Sequence, residues 1–85
     1  MVITWDNAKR LANMFKHGLD FADLDEDFFS KALIVRARAP RFTAIGRFRE
    51  AMVVVVIFAP LGAEAISVIS MRPASKKERS LPHAP

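Results

Sequence analysis

At 85 residues the chain has room for one domain, close to the lower size at which a single core holds a fold without staples. Hydrophobic residues make up 52% and charged ones 26%, which excludes a wholly disordered chain, and the lack of cysteine excludes a disulfide frame, a zinc knuckle and a thiol nucleophile together. The net charge of +4 is unevenly spread: residues 1–30 set Lys9, Arg10 and Lys16 against six carboxylates, whereas residues 31–85 set ten cations against Glu50, Glu64 and Glu78, so the second part suits a polyanion and the acidic segment a basic partner.

The longest apolar run, Ala51 to Pro60, is about half of what a bilayer-spanning helix requires, and the first residues lack the cationic start and apolar centre of a signal peptide. A cytoplasmic protein with no membrane contact is expected, organised as a single domain over residues 1–81 and a short tail over 82–85. Ile3 to Trp5 reads as a strand. Asp6 is placed to cap a helix running to Lys16, and Gly18 to stop it in the left-handed conformation. Ala8, Leu11, Ala12 and Phe15 fall at i, i+3, i+4 and i+7, which predicts a packed apolar face, with Lys9, Asn13, Lys16 and His17 on a polar one. Asp20 can cap a second short helix that buries Phe21, Leu24 and Phe28 and turns Asp23, Asp25, Glu26 and Asp27 outward.

From Lys31 the periodicity becomes that of strands: Ala32 to Arg38, then Arg41 to Phe48 after a turn near Pro40, then Met52 to Ala59 as a central strand apolar on both faces. Ala59-Pro60-Leu61-Gly62 has turn chemistry and predicts a hairpin onto Ala65 to Met71. Ser75-Lys76-Lys77-Glu78 has capping-box spacing and starts a last helix that Pro82 must end. The fold class expected is α+β, in the order β-α-α-β-β-β-β-α, with an antiparallel sheet packed by the N-terminal helices.

Metal chemistry finds no support. Counting a calcium loop from Asp23 puts Phe28 where glycine is needed and Ile34 where a bidentate glutamate is needed, and the two histidines lack zinc-site spacing. No cofactor is expected. The stronger signal is Arg72 to Arg79: a buried strand delivers a guanidinium to a fixed place, and Lys76, Lys77 and Arg79 follow on the next helix, a set suited to gripping phosphate. Arg72 and Arg79 can hold one phosphate. Glu78 is open to two readings, capping partner of Ser75 or proton carrier. His17, after Lys16 at a helix C-terminus, is a second proton-transfer candidate, and the same position also suits a capping or solvated histidine.

Thr4-Trp5-Asp6, Lys16-His17-Gly18, Phe21-Ala22, Arg41-Phe42-Thr43-Ala44-Ile45-Gly46 and Ile69 through Arg79 together resemble the BrnT toxin family, in the right order over nearly the whole chain. The resemblance implies a RelE-like fold and a type II toxin–antitoxin endoribonuclease that stops translation. It also implies neutralisation by a cognate BrnA-like antitoxin that alone contacts operator DNA. It carries over Lys16, His17, Arg41, Arg72, Glu78 and Arg79 as matching positions. The chain departs from the family where Ser67 stands for a common arginine and Pro82 for a common tyrosine. A ribonuclease acting without metal is therefore expected, with catalytic candidates His17, Glu78, Arg72 and Arg79 and RNA-binding candidates Lys16, Arg41, Lys76 and Lys77, all gathered in one concave spot. The rival expectations are a toxin-fold module that binds antitoxin or RNA without cleavage, and a basic nucleic-acid binder with no toxin role.

Overall fold

In the computed structural model, which describes residues 1–81, the chain runs β1 (Val2–Trp5), α1 (Asn7–His17), a 3-10 turn (Phe21–Asp23), α2 (Glu26–Lys31), β2 (Leu33–Arg36), β3 (Phe42–Phe48), β4 (Met52–Leu61), β5 (Ala65–Pro73) and α3 (Lys76–Arg79). The expected tail and the helix stop at Pro82 lie outside the described residues. Asp6 and Gly18 bracket α1 as their chemistry requires: the Asp6 carboxylate accepts from the Lys9 N–H, and Gly18, at φ 68°, donates to the Met14 carbonyl.

The single second helix expected after Asp20 is two pieces. Asp20 accepts from the Ala22 N–H and caps only the 3-10 turn; the backbone then extends through Leu24, and Asp25 caps α2 by accepting from the Phe28 N–H. A second aspartate able to cap restarts the helix, while Phe21, Leu24 and Phe28 remain buried together.

The five strands lie in the order β1-β5-β4-β3-β2. The sheet is mixed rather than antiparallel, because β1 pairs parallel with β5, from Val2 opposite Ala65 to Trp5 opposite Val68. Only the long excursion through both helices and the hairpins brings β1 and β5 together, and such a connection permits parallel pairing. The last hairpin turns later than its proline suggests: β4 continues to Leu61, and Gly62 takes φ 67°. Pro60 is tolerated there because β3 ends at Phe42, opposite Phe58, so on that side no ladder bond is lost.

The helices cover one sheet face, where Phe21, Phe28, Val54, Val56, Val68 and Met71 form the main core, joined by edge-on contacts of Phe29 with Phe28 and Phe58 at 5.1 and 5.4 Å. Gly46 permits the close approach of α2, since a Cβ there would stand 3.1 Å from the Ala32 Cβ and 3.2 Å from the Phe28 ring. The opposite face has a smaller apolar floor of Ile45, Val55 and Ala74, with Leu33, Val53 and Ile57 beside them.

Helix α1 is rotated half a turn from the orientation its apolar spacing predicts. Asn13 is buried and Arg10 and His17 are half-buried, whereas Ala8, Leu11, Ala12 and Phe15 face outward, Phe15 at 95% exposure. Polar bonding sets this orientation. Beyond Trp5 the β5 edge has no partner strand among the described residues, and the Asn13 Oδ1 accepts the Met71 N–H at 3.0 Å while its Nδ2 donates to the Leu19 carbonyl at 3.1 Å. One turn earlier, Arg10 donates twice to Asp20, at 2.7 and 2.8 Å.

Candidate active site

Strand β5 ends in a rigid corner. Its register places Arg72 beside Val55 and hence Ile45, on the face away from α1. The Ala74 N–H then donates to the Val53 carbonyl at 2.9 Å, and the Ala74 side chain is buried in the smaller apolar floor. Ser75 and Glu78 form the full capping box of α3: the Glu78 N–H donates to the Ser75 hydroxyl at 3.1 Å, and the Ser75 N–H donates to Glu78 Oε1 at 2.8 Å. Capping and ion pairing are thus joined in one carboxylate.

Arg72 donates from Nη1 to Glu78 Oε1 at 2.7 Å and from Nη2 to Oε2 at 2.8 Å, a two-pronged pair of the kind that guanidinium also makes with phosphate. Arg72 and the Ser75 N–H together hold the Glu78 carboxyl at about 2, well below its ordinary value. Glu78 is accordingly an anion in the resting chain and a weak proton acceptor while that pair stands. Arg79 is anchored by donation from Nη1 to the Ala74 carbonyl at 3.2 Å, and Lys76 and Lys77 are exposed on the same helix. The structure therefore brings Arg72, Lys76, Lys77, Glu78 and Arg79 together at one end of the sheet.

Arg47 belongs to that end too, although motif reasoning passes it over. It pairs with Val53, one row beyond the Ile45–Val55–Arg72 row, on the same face. The signal for it is the alternation of Thr43, Ile45 and Arg47 along β3, which fixes which side chains share a face once the strand is recognised.

The remaining candidates stand elsewhere. Arg41 precedes Phe42 at the far end of β3, about four residues and two strands from Arg72, a separation of roughly 16 Å by strand geometry. Lys16 and His17 end α1, within a turn of the Asn13 tether to Met71, and no hydrogen bond or ion pair among the described residues joins them to Arg72, Glu78 or Arg79. Neither the recess at Asp23, Arg47 and Arg49, nor that at Arg36, Pro40 and Arg41, nor that at Met1 and Phe29 is lined by Arg72, Arg79 or Lys16. None of these three recesses gathers the candidates, which instead lie at both ends of a sheet face whose apolar residues Ile45, Val55 and Ala74 are themselves buried.

The acidic segment is occupied internally. Asp6 and Asp25 cap helices, Asp20 caps the 3-10 turn and pairs with Arg10, Asp23 meets Arg49 at 2.6 Å, Glu26 meets the Met1 amine at 2.8 Å, and Asp27 meets Lys31 at 3.3 Å. By contrast Lys9, Lys16, Arg36, Arg38, Arg41, Lys76 and Lys77 have no ion-pair partner among the described residues. The charge left over for a ligand is positive.

Residues 5–78 match the model of the family described as ribonuclease toxin, BrnT, of type II toxin-antitoxin system. The chain belongs to the BrnT family. A crystal structure of the Brucella abortus ribonuclease toxin BrnT at 1.1 Å resolution is similar over 89% of this chain and 99% of that one, with 53% sequence identity and a TM-score of 0.86. Comparison with curated proteins gave no match. This BrnT chain is a ribonuclease toxin of a type II toxin–antitoxin system, as its sequence resemblance implies, and the type of system implies an antitoxin partner. Ser67, expected from the sequence resemblance to stand in place of an arginine, pairs with Thr4 and Ala59; that row lies next to Arg41, not Arg72. Pro82, in place of the common tyrosine, lies outside the described residues.

Proposed function

We propose that this BrnT chain cleaves RNA without a metal, on a RelE-like scaffold, by attack of a substrate 2′-hydroxyl on the adjacent phosphate. In this mechanism one side chain takes the hydroxyl proton and another protonates the departing 5′-oxygen, yielding a 2′,3′-cyclic phosphate and a 5′-hydroxyl. The developing negative charge on the phosphate is met by Arg72 and Arg79, with Lys76 and Lys77 holding the flanking phosphates, Arg41 steering the strand along the same sheet face and Lys16 meeting it at the β5 edge. Glu78 is the proton carrier beside that phosphate, and His17, at the end of α1 on the far side of β5, serves only if the RNA wraps the β5 edge.

The observation that carries this reading is the two-pronged Arg72–Glu78 pair at the pinned corner of β5 and α3. In the resting chain the Glu78 carboxylate occupies the fork that a phosphate needs. An incoming phosphodiester competes for Arg72, and displacement of Glu78 removes the main cause of its low pKa, so substrate binding itself turns Glu78 into a better base. Cleavage of messenger RNA would stop translation, and a BrnA-like antitoxin would neutralise the toxin and carry any contact with operator DNA.

The test is expression of the chain and of Arg72→Ala at equal soluble levels, followed by growth measurement and a single-turnover RNA assay. The wild type should inhibit growth and cut RNA, and the variant should lose about 100-fold or more of the cleavage rate, the scale associated with removal of one group that stabilises transition-state charge. Equal harmlessness of both chains would end the enzymatic reading in favour of a module that only binds its antitoxin or RNA.

A further inference from the structure

The apolar stripe that α1 turns outward has no partner within the described residues. Ala8, Leu11, Ala12 and Phe15 run along it for about 10 Å at 1.5 Å per residue. Leu11 is 60% exposed, Phe15 is 95% exposed, and Met14, at 38%, borders one side. Helical spacing puts Lys9 and Lys16 together on the other border, and neither has an ion-pair partner among the described residues. A nearly bare phenylalanine beside a leucine, rimmed by charge, has the composition of a binding anchor rather than of ordinary surface.

The rotation of α1 makes this arrangement stable. Asn13 and Arg10 lock the opposite side of the helix to Met71, Leu19 and Asp20, so the stripe cannot turn inward to bury itself. Its occupant must bring apolar side chains for Leu11 and Phe15 and carboxylates for Lys9 and Lys16. RNA meets the second need but offers the stripe only stacking on one ring, whereas an amphipathic helix meets both along its whole length.

We propose that the outer face of α1 is the surface on which the antitoxin docks, through an amphipathic helix whose apolar side covers Leu11 and Phe15 and whose acidic border meets Lys9 and Lys16. This rests on the reading of the chain as a toxin with a protein antitoxin. A helix seated there also covers Lys16, so the antitoxin and the RNA strand compete for one cation and neutralisation follows from occlusion.

The experiment titrates purified cognate antitoxin into the full chain and into Leu11→Asp, Phe15→Asp and Lys9→Glu, with thermal melts to verify folding. Because the two apolar residues are exposed, both aspartate variants should melt within a few degrees of the wild type and cut RNA at its rate, yet lose about 100-fold in antitoxin affinity, the scale of a binding anchor. Lys9→Glu should weaken binding less, and most at low salt. Affinity within about threefold of wild type for Phe15→Asp would overturn the proposal. So would a dimer of the chain that Phe15→Asp dissociates, or loss of RNA binding with antitoxin affinity kept, since these identify a second copy or RNA as the occupant. The titration contains no RNA, so a wild-type chain that binds antitoxin but cuts nothing counts against the cleavage mechanism alone.

Discussion

Where β1 stops, the Met71 N–H would face the protein interior unpaired if the Asn13 amide did not reach it. Leucine at position 13 has a similar volume but leaves that N–H and the Leu19 carbonyl without partners. Each orphaned buried group costs about 1–3 kcal/mol. With two such groups, Asn13→Leu should lower the stability measured by urea denaturation by about 2–6 kcal/mol, and an unchanged midpoint would show that the amide contributes nothing. Acid should act through a second pair of residues. The Arg10 guanidinium and the Ala22 N–H hold the Asp20 carboxyl at about 2, and Glu78 is held at about 2 by Arg72 and the Ser75 N–H, against ordinary values of 3.8 and 4.5. A carboxylate whose pKa falls on folding stabilises the folded chain above its unfolded pKa, and that stabilisation is lost as protons return. The melting temperature should therefore fall between about pH 4.5 and pH 2, and Asp20→Asn or Glu78→Gln should each flatten that descent. The Ser75 and Glu78 spacing in the sequence shows the capping box, but the Arg72 partner depends on β5 continuing past its irregularity at Ile69 to Pro73, which no local pattern encodes.

Helix α1 shows why an element can be legible while its orientation is not. Its ends follow from Asp6 and Gly18, local chemistry that a sequence displays. Its inward face follows from an unpaired strand edge and a salt bridge to Asp20, both created by tertiary structure, and these outweigh the burial that the Leu11 and Phe15 stripe would otherwise favour. The parallel pairing of β1 with β5 was hidden for the same reason, since it joins residues some sixty positions apart. Strands β3 and β4, by contrast, were readable from their alternation and their β-branched run. At this scale α2 offers a direct check. Gly46→Val would drive side-chain atoms into Ala32 and Phe28, already within 3.1 and 3.2 Å of a Cβ at that position, so it should destabilise by about 1–3 kcal/mol as an overpacked site does. Stability equal to wild type would mean that α2 is free to shift away from the sheet.

For the whole molecule, the decisive property is that the N-terminal carboxylates are spent on caps and ion pairs, leaving an excess of unpartnered cations among the described residues. The charge imbalance of the sequence suits a polyanion partner, while the placement of Arg41 and Arg72 at opposite ends of an apolar floor could come only from the register of β3, β4 and β5. If about four cations neutralise phosphates along that face, the logarithm of RNA affinity should fall with the logarithm of salt at a slope of about −3. A slope near zero would remove the electrostatic account of binding. The central claim is that Arg72, released from Glu78 by a phosphate, supports attack by the neighbouring 2′-hydroxyl. Its most direct test is end-group analysis of an RNA cut in chelator, compared with the same RNA carrying a single 2′-deoxy substitution at the cleaved position. The account predicts a 2′,3′-cyclic phosphate and a 5′-hydroxyl from the first and no cut at that position in the second; cleavage of the deoxy substrate there, or a 3′-hydroxyl product, would contradict it.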